Sequence, residues 1–236
     1  MTTTAELAYR SVRQMLFDGH LQAGQRVSQQ RLARKLNCSK APIVEALRRL
    51  ESDGLLVKEG RKMAKVRVLL ASEIKGLYLL RQSLEMTAIQ LCTEAIDDQE
   101  IRQLLQLEQK FEAAAANREL RQATQLDMEI HRFIVRCARC PLFQQELDRL
   151  MVIERTIPGD IADEREWEKY LDSTMASPGI SESESSGDSN WKKYGQSHKS
   201  LITAIADRDS ELAQMLMKKH IQNGYKETLE RLRFES

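Results

Sequence analysis

Cysteine is scarce in this chain. The four residues, Cys38, Cys92, Cys137 and Cys140, are too few and too scattered for the disulfide framework of a small secreted domain. Cys137 and Cys140 form a C-x-x-C, but no second pair accompanies it, so core or surface thiols at the end of an apolar helix are the expectation. Long apolar runs are missing too. None approaches the roughly 20 residues needed to span a bilayer, and the first residues lack the apolar stretch of a signal peptide. The expectation is a cytoplasmic protein with no membrane partner. There are only four histidines and no H-E-x-x-H, which argues against a metal-dependent hydrolase of that kind. The net charge is only +1, and 236 residues leave room for two domains of ordinary size.

The charge that is present is unevenly spread. Residues 1–70 hold 14 Lys/Arg against 6 Asp/Glu, a net +8, so the remainder of the chain carries −7. A basic head on an acidic body is the footprint of one nucleic-acid-binding module. Within that head, residues 27–57 read as two short helices joined by a tight turn. Val27, Leu32, Ala33 and Leu36 repeat at roughly helical spacing, with Ser28 as a cap. Asn37-Cys38 breaks the pattern, and Ser39 caps a second helix whose Pro42 falls in the first turn, where a missing N–H does no harm. Ile43, Ala46, Leu47 and Leu50 form its inner stripe, and Gly54 ends it. Ahead of the pair, Ala8, Val12, Met15, Leu16 and Phe17 mark another amphipathic helix, stopped by Asp18-Gly19. Behind it, residues 55–57 and 66–68 are β-prone runs around a cationic tip that includes Arg61 and Lys62, placed to lie against phosphate or in the minor groove. The reading is a winged helix-turn-helix that offers the start of its second helix to the major groove of double-stranded DNA.

These residues resemble the winged-helix domain of GntR-type bacterial transcription regulators over about 60 positions. The likeness is carried by Ala23-Gly24-Gln25-Arg26-Val27, Leu32-Ala33, Ser39, Pro42, Glu45-Ala46-Leu47-Arg48-Arg49-Leu50 and Gly54-Leu55. It implies a homodimer on a palindromic operator, with Arg31, Ser39, Lys40, Val44, Arg48, Arg49, Arg61 and Lys62 as the DNA-facing set. Two positions depart from the family. Lys40 and Val44 stand where arginine is usual. Lysine lacks the planar fork for guanine, and valine offers only an apolar touch to a thymine methyl, so the usual operator sequence is not expected.

From Ser72, read as a cap, nearly everything follows helical periodicity. Ile74, Leu77, Leu80, Leu84, Ala88 and Leu91 mark one long helix, and Ile101, Leu104, Leu105, Glu108 and Phe111 a second. A third runs over about 119–138, and Pro141 opens a fourth. The last two cover roughly 191–206 and 209–232, the final one marked by Leu212 and Leu216. The fold class is therefore mainly α: a winged helix-turn-helix over 1–70, then an all-α antiparallel bundle over 71–236. Residues 160–190 interrupt the bundle with nine Asp/Glu and two Lys/Arg, the whole negative charge of the second domain. They read as an acidic flexible insertion with a short helix over 164–171, and their charge would keep them off DNA.

Three of the four histidines sit on apolar helix faces. Asp127 and His131, four apart, share one face with Leu126, Ile130 and Ile134; His198 lies among Leu201, Ile202 and Ile205; His220 follows Leu216. Three inward imidazoles and an inward carboxylate would be costly to bury unpaired, and one divalent ion resolves all four. Imidazole nitrogen with a carboxylate suits Zn2+, Ni2+, Mn2+ or Fe2+.

This pattern resembles the effector-binding FCD domain of the FadR-type branch of GntR regulators, and six principal helices bring it closer to the VanR subgroup. The resemblance implies a metal held by Asp127, His131, His198 and His220, with Zn or Ni first and Mn or Fe as alternatives. It also implies a small organic acid as effector, gripped by Arg81 on the first bundle helix. The competing reading of Arg81 is a surface pair with Glu85. The acidic insertion and Arg139-Cys140-Pro141, in place of the family's usual Asn-Pro, depart from the pattern. The alternative functions are a regulator that answers a bulky ligand such as an acyl-CoA without metal, and a metal-dependent hydrolase fused to a DNA-binding head.

Overall fold

The computed structural model describes residues 3–60, 63–157 and 190–234. Arg61, Lys62 and the acidic segment up to residue 189, with its expected short helix, lie outside the described residues. Two compact units result. One holds the residues up to Ile74 together with described residues from Arg149; the other holds Lys75–Asp148 and most of the last two helices, through Glu230.

In the first unit, α1 (Thr4–Phe17) starts where the Thr3 hydroxyl accepts from the Glu6 N–H, and it buries Ala5, Ala8, Val12 and Leu16. Met15 and Phe17 are only half-buried. After β1 (Arg26–Ser28), α2 (Gln29–Lys35) is capped by the Ser28 hydroxyl, which accepts from Arg31 N–H at 3.4 Å. Asn37, in the left-handed region at φ +48°, turns the chain into α3 (Lys40–Ser52). Ser39 stands at the N-cap of α3 without a side-chain capping bond, so its hydroxyl does less for the helix than the sequence predicts. Gly54 takes φ +75° after the last turn; a Cβ there would also come within 3.2 Å of Arg67 Nη1.

The wing is larger than expected. β2 (Leu56–Glu59) and β3 (Met63–Val66) form the hairpin, and β1 adds a third antiparallel strand on the other side of β3, in the order β1-β3-β2. Val27 faces Ala64 across this sheet, so it belongs to a strand and not to the helical stripe assigned from its spacing. The expected 66–68 strand ends at Val66. Val12, Leu16, Ile43, Leu47, Leu50, Leu56 and Val66 make one core with α1 packed on α3, and Val152 joins it.

In the bundle, α4 (Ala71–Ala95) begins one residue before the cap read from the sequence. Ser72 lies inside the first turn, and the Glu73 carboxylate accepts from the Leu70 N–H at 2.9 Å instead. Its inner face also differs from the leucine stripe. Leu80 is 61% exposed, and the buried positions are Ile74, Leu77, Tyr78, Arg81, Glu85, Ala88, Ile89, Cys92 and Thr93. Leucines lie on several sides of this helix, so hydropathy alone does not select a face. α5 (Asp98–Ala116) opens with a reciprocal capping box between Asp97 and Glu100, and α6 (Leu120–Cys137) follows. α7 (Pro141–Glu154) starts at the expected proline. α8 (Asn190–Ala206) and α9 (Ser210–Phe234) complete six helices among the described residues. In the first half of α9 the buried residues are Ala213, Met217, His220 and Ile221, one position beyond the Leu212/Leu216 stripe, and Thr228 and Leu232 are buried further along. α5 packs against both α6 and α8, which brings three helices to one polar cluster. Ile130, fully buried on α6 beside that cluster in sequence, is a sensitive reporter of this packing. Ile130→Ala should cost about 2–5 kcal/mol in urea unfolding, through lost burial and the cavity left behind.

Candidate functional site

The DNA-facing candidates lie on the outside of the helix-turn-helix. Arg31, Ser39, Lys40, Arg48 and Arg49 are exposed, and Val44 is half-buried. Arg49 differs from the rest. Its Nη1 lies 2.6 Å from Glu6 Oε2 and its guanidinium stacks 4.1 Å above the Tyr9 ring, whose hydroxyl donates to Asp53. The hydrogen bonds from Arg49 and Arg10 hold the Glu6 carboxyl below its ordinary range. Arg49 is thus tied to α1, a partner that helix periodicity on α3 could not reveal. Lys58, on the wing strand β2, adds an exposed cation.

The second site forms inside the bundle. Asp127 and His131 come from α6, His198 from α8 and His220 from α9, and one ligand atom from each lies within 4.8 Å of all the others. The Nε2 atoms of His131, His198 and His220 stand 3.8, 3.1 and 3.8 Å from Asp127 Oδ1. His131 Nε2 is 2.9 Å from His220 Nε2. All three imidazoles are buried, while the Asp127 side chain keeps 24% of its surface. The four residues named from the sequence are therefore brought together.

The surroundings are polar as well. A hydrogen bond joins His131 Nδ1 to Glu85 Oε2 on α4, and the other oxygen of Glu85 accepts from Arg81 Nε at 2.9 Å. The Arg81–Glu85 pair exists, but Arg81 is only 7% exposed, so it is not a surface pair. Glu108 Oε2 of α5 lies 3.5 Å from His198 Nδ1, and the Phe111 ring stands nearly perpendicular to the His198 ring. Glu85 and Glu108 are the site residues that sequence reasoning missed. Glu108 left a signal, since a glutamate interrupts the apolar stripe of α5; Glu85 left none beyond its spacing from Arg81.

Burial and charge pull these groups in opposite directions. Burial alone would raise the Asp127 carboxyl, but the imidazoles of His198, His131 and His220 outweigh it and hold Asp127 well below the usual carboxylate range. Burial likewise opposes ionisation of Glu85, and Arg81 and His131 overcome it. Burial would lower His131; the carboxylates of Glu85 and Asp127 raise it instead. His220 is driven well below its ordinary value by burial and by the other two histidines, so it stays a neutral donor. Burial, reinforced by Glu112 and Asp127, pushes Glu108 up to about 8.

A metal ion would fit this donor set. Asp127 Oδ1 and His198 Nε2 are buried and face one another, yet neither has a hydrogen-bond partner. Two such atoms, with two more imidazole nitrogens turned the same way, supply the nitrogen-and-oxygen set that divalent transition metals take. The C-x-x-C is not part of this cluster, which holds Asp127, His131, His198 and His220; all four cysteines are free thiols, and Cys137 is buried in α6.

The described residues form a winged helix-turn-helix followed by six bundle helices that hold the His/Asp cluster, and sequence comparison supplies the family. Residues 4–66 match "Bacterial regulatory proteins, gntR family" and residues 76–223 match the FCD domain, so the chain belongs to the GntR family of transcription regulators and carries an FCD domain. It is similar to the "Uncharacterized HTH-type transcriptional regulator YdhC" of Bacillus subtilis (strain 168), 31% identical over 54% of this chain and 57% of that one. It is also similar to the "Nta operon transcriptional regulator" of Aminobacter aminovorans, 39% identical over 35% of this chain and 39% of that one. The chain thus spans about half the length, or less, of these two relatives. Among solved structures, E. coli McbR/YncC superposes with a TM-score of 0.78 over 98% of this chain and 99% of its own, at 18% identity. A putative GntR regulator from Rhodococcus sp. RHA1 gives 0.69 over 96% and 97%, also at 18%. These two likenesses establish the fold. Among the described residues, no helix is long and apolar enough to cross a membrane.

Proposed function

We propose that this regulator binds a palindromic operator as a homodimer, and that a small carboxylate metabolite, bound beside a divalent metal in the bundle, controls its operator affinity. Asp127, His131, His198 and His220 would hold the ion, with zinc or nickel the best match to three imidazoles and one carboxylate. The observation that carries this reading is the approach of three Nε2 atoms to Asp127 Oδ1, with two of the four ligand atoms buried and lacking a hydrogen-bond partner. A bound ion would supply a Lewis-acid position for a carboxylate or hydroxy oxygen of the effector.

The chain's own residues do the rest. Arg81 brings a buried guanidinium, and a carboxylate is the anion its fork suits best. Glu85 balances that charge in the absence of effector. An effector can alter DNA binding only by favouring one arrangement of the protein over another. α4 carries Arg81 and follows shortly after the wing in sequence, which makes it the lever in this proposal. By linkage, operator DNA must then change the affinity for the acid by the same factor as the acid changes the affinity for operator.

The test is operator binding measured with and without a panel of sugar acids, hydroxy acids and dicarboxylates, before and after chelation. An acid that shifts operator affinity only in metal-loaded protein supports the proposal; a response untouched by chelation would point to the bulky-ligand, metal-free alternative. In the same assay Arg81→Ala should weaken the active acid by roughly tenfold or more, the loss of one charge-assisted contact, while metal content stays near the wild-type value. Unchanged affinity for every acid would return Arg81 to a purely structural pair with Glu85.

A further inference from the structure

We propose that Glu85 and Glu108 are positioning residues of the metal centre, each facing the Nδ1 edge of one histidine, His131 and His198 respectively, so that Nε2 is the atom turned toward Asp127. The inference rests on the metal reading above and concerns residues outside the ligand set.

The argument begins with the imidazole ring. Its second side-chain torsion is broad and roughly two-fold, so a buried histidine can offer either nitrogen to a neighbour unless something distinguishes the two edges. Here α4 and α5, two helices that supply no ligand, each supply a carboxyl group. Glu85 is fully buried, and its two oxygens are divided: Oε2 bonds His131 Nδ1 and Oε1 takes the Arg81 guanidinium. The His131 edge is thereby fixed, and Nε2 is left 2.9 Å from His220 Nε2 and 3.8 Å from Asp127 Oδ1. Glu108 repeats the arrangement at His198. Its Oε2 is 3.5 Å from His198 Nδ1, while His198 Nε2 lies 3.1 Å from Asp127 Oδ1 and the Phe111 ring stands nearly perpendicular to the His198 ring at 4.9 Å.

Stability alone does not account for Glu108. Both of its side-chain oxygens are buried without a hydrogen-bond partner, as is His198 Nδ1, and an apolar residue in the stripe of α5 would avoid that cost. A histidine whose Nε2 coordinates a metal carries its proton on Nδ1, and Glu108 is the acceptor placed to receive it. Two buried carboxylates on two different helices, each at the Nδ1 edge of a different histidine, form an outer layer for the centre. Glu85 has a further consequence. The carboxylate that orients His131 also binds Arg81, so the anion-gripping residue and a metal ligand share one support.

The experiment uses the full chain. Zn2+ affinity is measured by competition with a chromogenic chelator in wild type, Glu85→Ala, Glu108→Leu and the isosteric Glu85→Gln and Glu108→Gln, and visible spectra are recorded for the Co2+-loaded proteins. Glu85→Ala and Glu108→Leu should each keep one ion per chain but bind it about 10–100-fold more weakly. The glutamine variants should lose less, because an amide oxygen still accepts from Nδ1–H, and their Co2+ bands should shift; a merely structural role would move the melting temperature and leave the bands in place. If Glu85→Ala or Glu108→Leu does not fold, the matching glutamine variant carries the test. Zn2+ affinity within twofold of wild type and unshifted Co2+ bands would overturn the positioning role while leaving the metal reading intact. A wild-type chain that binds no Zn2+ would overturn both.

Discussion

Replacing His198 and His220 together by alanine is expected to strip the purified protein of its divalent ion. The wild-type chain should carry about one ion, detected by elemental analysis, and the double variant essentially none. Two of four ligands would be lost, and the remaining Asp127 and His131 come from the same helix, with no opposing helix to complete a site. The stability consequence follows from mass action. A metal present at about 1,000 times its dissociation constant favours the folded state by about 4 kcal/mol. For a chain of this size that corresponds to roughly 8–16 °C in Tm. Wild-type protein should therefore melt well above its chelated form, while the double variant should melt at one temperature whether or not metal is added. Full occupancy in the double variant would falsify the ligand assignment.

The second large effect concerns salt. If the homodimer neutralises about 6–10 operator phosphates, raising the salt from 50 to 200 mM should weaken binding by roughly 10³–10⁵. Lys40, Arg48 and Arg31 are exposed on the helix-turn-helix and free of the α1 network that engages Arg49. Substituting alanine for any one of them should reduce the magnitude of the log–log salt slope by about one for each phosphate contact removed. Arg49→Ala should act differently. It deletes the bond to Glu6 and the stacking on Tyr9, so part of its effect should appear in the melting temperature of the DNA-free protein. Nearly salt-independent affinity would contradict the proposed interface, as would a monomer that binds the operator at full strength.

Much of this architecture could be read from the residues, for identifiable reasons. Asp127 and His131 announce themselves because polar groups interrupt an apolar stripe at four-residue spacing, and His198 and His220 do the same on their own helices. The helix-turn-helix is legible through Pro42, Gly54 and the stripe of Ile43, Ala46, Leu47 and Leu50. β1 is not, because three residues are too short to show an alternation and its pairing with β3 joins positions 35–39 apart in the chain. The inner face of α4 is hidden for the opposite reason: Leu79, Leu80 and Leu91 supply apolar surface on the side away from the core, while Arg81 and Glu85 go inside as a pair. A one-residue pattern cannot anticipate that two charges become acceptable in the interior by compensating each other. Arg49 and Glu6 present the same difficulty across 43 positions.

The core of the first unit includes Val152, and the Leu69 N–H finds its acceptor in the Thr156 carbonyl. The DNA-binding head is therefore not a contiguous length of polypeptide. A fragment ended after residue 70 would lose a buried side chain and leave a backbone donor without its acceptor, so it should be less stable than the same residues in the full chain. Hybrid regulators made by one splice between the head of one homologue and the bundle of another would inherit that defect. A graft that also transplants residues 149–157 would keep the head's own supporting segment.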